Sequence, residues 1–200
     1  MSRTVSLPST AAVDAALEVA SAYHSPAMLN HCIRSYLWAT ARGEQLGLEV
    51  DEELLAVAAL LHDIGLVPEF DNHRLEFEHA GGHVARVFAA GAGWGPARRE
   101  RVGDVIVRHM WNEVDPAVDA EGHLLCVATG LDISGRDSEL WPASLRTAVL
   151  ERYPRSSLRD EFVGCLREQA SRKPSGAAAD ALASGIDERM SRNPLEPHHP

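Results

Sequence analysis

Hydrophobic residues recur along most of the chain at the three- and four-residue spacing of amphipathic helices. No stretch of six or more residues alternates polar with β-branched types, so the pattern predicts no significant sheet. Proline, glycine and capping residues mark the ends of the apolar segments. The predicted helices span residues 11–23, 26–45, 52–64, 77–90, 97–110, 121–133, 142–152 and 157–171, with a short one in 177–190. The chain is therefore predicted to be an all-α bundle of about seven to nine helices.

The third predicted helix, 52–64, differs from the others in its composition. Its segment LLAVAALL is apolar on nearly every side, which is typical of a helix buried in the centre of a domain. An adjacent polar pair, His62 and Asp63, stands at its end, just before Gly65. Polar groups in such an apolar setting are costly unless they are paired or bind a metal. The pair is therefore the first candidate for a functional site.

Six candidate metal ligands lie in or beside apolar helical segments, in the order H…HD…H…H…D. They are His31, His62, Asp63, His83, His109 and Asp132. They come from five consecutive predicted helices, the second to the sixth, and helical bundles build metal sites from side chains that project inward in this way. Imidazole and carboxylate together suit a divalent metal. The pattern therefore predicts a metal centre inside the bundle.

Composition narrows the class of protein. The 200 residues, of which 45% are hydrophobic, suffice for one domain with a substantial core. A formal net charge of −10 lacks the basic footprint of a nucleic-acid-binding protein. No apolar run approaches the roughly 20 residues of a membrane-spanning helix, and the first residues lack the apolar core of a signal peptide. We therefore expect a cytoplasmic protein that binds neither nucleic acid nor membrane.

The cysteines and the last histidines are interpreted without a functional role. Cys32, Cys126 and Cys165 are widely spaced and no CxxC motif occurs, so we expect buried thiols in a reducing cytosol rather than disulfides or a thiolate zinc site. His198 and His199 are interpreted as part of a mobile chain end, because such ends are commonly disordered.

Several segments together resemble one known family. They are LNHCIRSYLWA, LLHDIGL, FEHAGGHVARVF, IVRHMW, GLDISG and YPR. The set is similar to the HD-domain superfamily of metal-dependent all-α proteins, and to its cyanamide hydratase-like branch, over most of residues 26–165. The resemblance implies one HD-type metal-binding domain at 26–170. The helical pattern adds an N-terminal helix in 1–25 that we expect to pack on this domain, and the composition predicts a partly disordered C-terminal extension at 171–200.

The resemblance also implies how the six donors divide. The ligands of a first divalent metal would be His31, His62, Asp63 and Asp132. Zinc is the expected metal, with iron, manganese or nickel as alternatives. His83 and His109 would hold a second metal, bridged by Asp63, or contact the substrate. The branch does not require a histidine at position 83, so one metal and two metals both stay open.

A divalent metal lowers the pKa of a bound water from about 16 toward 7 and polarises an unsaturated substrate. We therefore expect metal-bound hydroxide to add to a nitrile-like group of a small, cyanamide-like molecule. The candidate residues for proton transfer beside the metal are Asp63, Glu78 and His79. Glu78 has an alternative role as a first-turn charge that stabilises the helix dipole.

Three further side chains are candidates for substrate binding. They are Arg34, Phe77 and Trp111. Arg34 would clamp an anion or, alternatively, form a salt bridge with Asp51 or Glu53. The two aromatic side chains would line a small apolar pocket, although aromatic residues at helical spacing also serve the core.

Three other functions stay open from the sequence. An HD phosphohydrolase acting on a nucleotide or phosphate ester would be favoured by basic residues clustered near the metal, but the chain has one lysine, Lys173, in a predicted hinge. A di-iron oxygenase would use all six donors. A non-catalytic module would require that some metal-ligand positions carry other residues, and none of the six candidate ligands is missing. Exposed apolar helix faces would allow a homodimer.

Overall fold

The computed structural model describes residues 6–196, which form ten α-helices and two short 3₁₀ turns and contain no strand. The all-α prediction is therefore confirmed. The helices are α1 (Ala11–Tyr23), α2 (Pro26–Leu46), α3 (Glu52–Leu61), α4 (Phe77–Gly91), α5 (Pro96–Arg108), α6 (Ala120–Ser134), α7 (Ala143–Arg152), α8 (Leu158–Arg172), α9 (Ala177–Ala183) and α10 (Ile186–Ser191). Within the described part of the chain, no helix is both long enough and apolar enough to cross a membrane.

Helix α3 is the centre of the bundle. Every residue from Leu54 to Leu61 is buried, and α1, α2 and α5 pack around it. The Asp51 carboxylate accepts a hydrogen bond from the Leu54 amide, which caps the first turn. A side chain that follows the last turn of this helix therefore enters the core.

Helix α3 ends at Leu61, before the predicted end at Ile64. His62 is the C-cap with helical dihedral angles, and Asp63 (φ −99°, ψ 8°) leaves the helical region. The 3₁₀ turn Ile64–Leu66 follows and packs against α4. The polar pair consequently occupies the junction between the central helix and its neighbour.

Gly65 allows this turn to approach the start of α4. A Cβ at position 65 would overlap the carbonyl oxygen of Phe77 and lie 2.9 Å from the amide nitrogen of Gly81. Gly65→Ala is expected to lower the free energy of unfolding by about 2–3 kcal/mol, because backbone atoms rather than a flexible side chain must move. Chemical denaturation measures the change.

Gly164→Ala is the matched control, because a Cβ there would meet nothing within 4 Å on an exposed face of α8. Helix propensity predicts that this variant is more stable by up to about 1 kcal/mol. A similar effect of the two substitutions would contradict the role assigned to Gly65.

Helix α2 carries a long buried stretch. Ser25 caps it, Pro26 occupies its first turn, and Gly47 ends it in the left-handed conformation with φ of +65°. Every residue from His31 to Ala39 is buried, and the helix packs on α3 and α6. The middle of α2 therefore faces the end of the central helix.

The C-terminal segment packs back on the bundle. Residues 177–190, predicted as one short helix, form α9 and α10 because Gly185 breaks the segment with φ of +78°. The side-chain amide of Asn193 donates to the backbone carbonyls of Asp132 (2.9 Å) and Ile133 (3.1 Å) near the end of α6. This segment is thereby tied to the helix that carries one of the candidate ligands.

A buried ion pair also joins the extension to the domain. Arg155 Nε lies 2.7 Å from a carboxylate oxygen of Glu196, and the arginine side chain is almost fully buried. The described part of the predicted extension 171–200 is thus in contact with the bundle. His198 and His199 lie outside the described residues.

The cysteines are free thiols in the described part of the chain. Cys32 and Cys126 are buried, as predicted, whereas Cys165 is only partly buried. Burial raises the pKa of all three thiols, so they are protonated and unreactive at neutral pH.

Candidate metal centre

Three side chains from α2 and the end of α3 converge in the core. The Nε2 atoms of His31 and His62 lie 3.1 Å apart, and Asp63 Oδ2 lies 3.4 Å from the first and 3.3 Å from the second. All three side chains are 1% exposed. Two ligand atoms bound to one metal at about 2.0–2.1 Å in tetrahedral geometry are about 3.3 Å apart. The triangle of donors therefore has the size of a single metal site.

The second nitrogen of each imidazole determines where its lone pair lies. His31 Nδ1 donates to Asp132 Oδ2 at 2.7 Å, and His62 Nδ1 donates to the carbonyl oxygen of Ala59 at 2.8 Å. Each Nε2 is then left with a lone pair. Two lone pairs that face each other at 3.1 Å repel unless a cation lies between them.

A proton can provide that positive charge when no metal is bound. Burial alone would lower the pKa of His31, but the carboxylates of Asp132 and Asp63 outweigh burial and raise it. A metal that binds this nitrogen must displace the proton, so its affinity falls at low pH.

Asp63 contributes a buried charge that lacks a hydrogen-bond donor. Neither of its carboxylate oxygens has a hydrogen-bond partner among the described residues. Burial would raise the pKa of this carboxyl, but His62 and His31 lower it well below its ordinary value, so the group is ionised. A buried carboxylate with free lone pairs is costly unless it is paired or binds a cation. These residues therefore fit a divalent cation.

His109, the C-cap of α5, adds a third imidazole. Its Nδ1 donates to the carbonyl oxygen of Ile106, and its Nε2 lies 3.7 Å from Asp63 Oδ1. Burial, with a smaller contribution from His62, lowers the pKa of His109 to about 3, so the ring is neutral at physiological pH. We refer to His31, His62, Asp63 and His109 as the donor cluster.

Asp132 lies on the opposite side of the His31 ring from the donor cluster. Its carboxylate accepts hydrogen bonds from two nitrogens of Arg34 at 2.8 Å, from Trp38 Nε1 at 2.8 Å and from His31 Nδ1. Burial would raise the pKa of this carboxyl, but Arg34 lowers it well below its ordinary value. A hydrogen-bonded carboxylate behind a ligating histidine fixes the ring orientation. The structure thus brings Asp132 to His31 but not to the other donors.

Arg34 is fully buried and uses its donors within the protein. Besides Asp132, it contacts two backbone carbonyl oxygens just before α8, and it does not line the cavity at the donor cluster. The expected salt bridge from Arg34 to Asp51 or Glu53 is wrong, because Arg98 pairs with both carboxylates. The sequence could not show this, since Asp132 is distant along the chain.

The other predicted site residues lie in different surroundings. Phe77 is buried, with its ring centroid 6.0 Å from that of His109. Trp111 is 52% exposed and lines the cavity at the donor cluster. His79 is exposed, Glu78 is buried, and neither lines that cavity.

His83 does not join the donor cluster. It is exposed on α4 and lines a separate surface cavity of about 570 Å³ together with His79. The expectation that it faces inward depended on Val87, one turn later, but Val87 is itself 75% exposed. The buried face of α4 carries Ala85 and Ala89 instead. Five of the six predicted donors therefore lie at the centre or next to it.

A cavity of about 410 Å³ adjoins the donor cluster. Its walls come from α6, α8 and the C-terminal segment α9–α10. Sequence reasoning missed several lining residues, among them Thr129, Arg136 and Phe162. No local pattern marks them, because only the packing of distant helices brings them to the cavity.

Glu78 is a buried carboxyl next to a second one. Burial and the neighbouring Glu76 raise the pKa of Glu78 to about 8, so it is protonated at neutral pH. Glu76 remains ionised and accepts a hydrogen bond from the Ala177 amide at 2.9 Å. Because the folded pKa of Glu78 is raised, its contribution to stability is full below about pH 4.5 and is lost as the pH rises through about 8.

Glu78→Gln, which resembles the protonated carboxyl, is expected to remove this pH dependence. The wild type should lose on the order of 3 kcal/mol more than the variant between about pH 5 and pH 9. Urea unfolding at the two pH values measures the difference. The same pH dependence in both proteins would refute the assignment.

Comparison with known proteins is consistent with this geometry. The model of the HD domain family matches residues 28–129, a span that contains the whole donor cluster and ends before Asp132. The chain is also similar to the cyanamide hydratases DDI2 and DDI3 of Saccharomyces cerevisiae. Each is 29% identical over 153 residues, which cover 74% of this chain and 68% of the relative.

Proposed function

The chain belongs to the HD domain family, and on this basis we propose that it is a metal-dependent hydratase or hydrolase that adds water to a nitrile-like group of a small molecule. The donor cluster carries the proposal: the Nε2 atoms of two imidazoles lie 3.1 Å apart, beside a buried carboxylate that has no hydrogen-bond donor among the described residues. Similarity to two cyanamide hydratases supports the choice of a nitrile-like group.

We assign one divalent cation to the donor cluster, with His31, His62 and Asp63 as its ligands. His109 lies beside the cation, since its Nε2 is 3.7 Å from Asp63 Oδ1. We propose zinc, because two imidazoles and one carboxylate with an open position form the ligand set of catalytic zinc sites; iron, manganese and nickel are the alternatives. When bound, the cation supplies Lewis acidity and lowers the pKa of water toward about 7. Asp132 acts through His31, whose ring it orients and makes more basic.

The side chains of the site then position the substrate and move the protons. Asp63 Oδ1 has no hydrogen-bond donor among the described residues and faces His109. We therefore propose that this oxygen accepts a proton from the attacking water. Apolar side chains such as Phe162 form part of the cavity wall. The oxygen of water bonds to the nitrile carbon, and both of its protons finish on the nitrogen, which gives an amide or a urea. Glu78 and His79 are left out of this assignment, because neither lines the cavity.

Hydrolysis of a phosphate ester is the second candidate function. Arg136 and Arg189 line the cavity at the donor cluster. Guanidinium groups bind phosphate through paired hydrogen bonds, and basic residues near the metal are what this reaction requires. We rank it second because the similar curated proteins are hydratases.

We propose that the protein acts on its small-molecule substrate in the cytoplasm. The formal net charge of −10 disfavours nucleic acid as a partner. We also propose a homodimer, because apolar side chains such as Val87 and Val118 are exposed.

Metal analysis and substrate assays on protein purified without added metal test the proposal. We expect about one divalent ion per chain, faster hydration of cyanamide and small nitriles than cleavage of a generic phosphodiester, and loss of activity on chelation that zinc restores. Turnover of the phosphodiester alone would reverse the two candidates. Full turnover by protein without bound metal would overturn both.

A further inference from the structure

The cavity at the donor cluster is larger than a cyanamide molecule requires. Its volume of about 410 Å³ lies in the range of pockets that enclose drug-sized ligands. One water occupies about 30 Å³ in the liquid, so a linear N–C–N molecule would displace only a few waters. Ile133, Phe162 and Leu166 give the cavity an apolar wall. The site can therefore hold a substrate with an apolar body attached to the reacting group.

Arg136 brings a guanidinium group to the wall of this cavity. Gly135, with φ of +71°, turns the chain at the end of α6 and lets the arginine side chain run back along the helix. Its Nη2 lies 3.3 Å from the carbonyl oxygen of Cys126. A Cβ at Gly130, also a lining residue, would overlap the guanidinium, so an alanine there would displace this flexible side chain.

Within residues 6–196, the guanidinium of Arg136 has no acidic partner. No carboxylate among the described residues lies within ion-pair distance of it, and its recorded contacts are with backbone oxygens and one sulfur. In contrast, the arginines around Asp132 and Asp119 are each paired with carboxylates. In a chain of formal net charge −10, an arginine that is left unpaired at a cavity wall can bind an anionic ligand.

Outside the donor cluster, two other charged residues among the described residues line the cavity, Arg189 and Asp180. Arg189 donates to the backbone oxygen and the hydroxyl of Ser184, which caps the end of α9. Asp180, on α9, is exposed like Arg136 but carries a negative charge. Both arginines contact backbone oxygens, but those of Arg136 lie at 3.3 and 3.5 Å, which is long for a hydrogen bond, so Arg136 is the stronger candidate for a ligand contact.

We propose that the substrates of this site are cyanamides or nitriles that carry a carboxylate on an apolar spacer, and that Arg136 binds the carboxylate. This inference rests on the proposed function. A guanidinium binds a carboxylate through two parallel hydrogen bonds, which fixes the orientation of the substrate. Water is the only co-reactant: a C–O bond forms at the nitrile carbon, the C≡N group becomes C(=O)NH₂, and the carboxylate is unchanged.

The test uses ω-(cyanoamino)alkanoates of increasing spacer length, each paired with its neutral amide, and cyanamide itself. For the zinc-loaded wild type, we expect kcat/KM for the best acid to exceed that for its amide by roughly 10- to 100-fold. Arg136→Gln should remove this preference by raising KM for the acids. Its kcat/KM for cyanamide should stay within about twofold of the wild-type value. Gly130→Ala, which displaces the guanidinium, should cause the same selective loss.

Several results would overturn the inference. Equal kcat/KM for acid and amide at every spacer length would contradict it. So would an Arg136→Gln variant whose kcat/KM falls as much for cyanamide as for the acid. A preference for the amide that disappears in Asp180→Asn would indicate that this side of the cavity binds a cationic or neutral ligand instead. If no compound is turned over, the proposed function fails separately. Calorimetric binding then decides the inference, because Arg136→Gln must weaken binding of the acid and not of the amide.

Discussion

Replacing His62 with alanine is expected to abolish stoichiometric metal binding and to lower turnover by roughly a thousandfold or more, since several kcal/mol of transition-state stabilisation depend on the metal. Its Nε2 lies 3.1 Å from that of His31 and 3.3 Å from Asp63 Oδ2, so the substitution removes one corner of the donor triangle. Elemental analysis and steady-state hydration of cyanamide measure the two effects. Asp63→Asn, which preserves side-chain size, is a second variant with the same expected losses.

His83→Ala is the matched control for this experiment. Both residues were candidate ligands, but His83 is exposed on α4 and lines a different cavity. We expect its metal content and its turnover to stay within about twofold of the wild type, as is usual for surface substitutions. A His62→Ala variant that keeps its metal, or a His83→Ala variant that loses it, would contradict the assigned ligand set.

Arg34→Met is expected to lower the free energy of unfolding by about 3–5 kcal/mol, because it leaves Asp132 as a buried charge without its main partner. Arg34 and Asp132 are both fully buried and share two hydrogen bonds of 2.8 Å. For a domain of this size the loss corresponds to a decrease in Tm of about 10 °C. Urea unfolding in the presence of a chelator separates this effect from metal binding.

Arg98→Met removes a comparable but partly exposed arginine. Its partners are Asp51 and Glu53, and solvent reaches both sides of the contact. Exposed ion pairs contribute about 1 kcal/mol or less, so this variant should be far closer to the wild type. If the two variants lose the same stability, the buried pair is not the stabilising element inferred here. The double variant Arg34→Met with Asp132→Asn should recover part of the loss, because the unpaired charge is gone.

Local sequence features were sufficient for much of the helical architecture. Pro26 occupies the first turn of α2, Gly47 ends this helix and Asp51 caps α3, in agreement with the helix bounds predicted there. The uninterrupted apolar segment of α3 predicted its central position, because a helix that is apolar on all sides must be surrounded by protein. The exact end of α3 did not follow, since Gly65 acts through its contact with α4 rather than as a helix stop.

The sequence by itself determined the all-α class, the central helix and the family, because capping, periodicity and motif order are properties of neighbouring residues. Only the tertiary structure decided which polar side chains share one centre. His83 and His109 both stand in apolar helical segments, yet the first is exposed and the second faces Asp63. Which way a helical side chain points depends on how its helix is rotated against partners far away in the sequence. For the same reason the pairing of Arg34 with Asp132, 98 positions apart, appeared only in three dimensions.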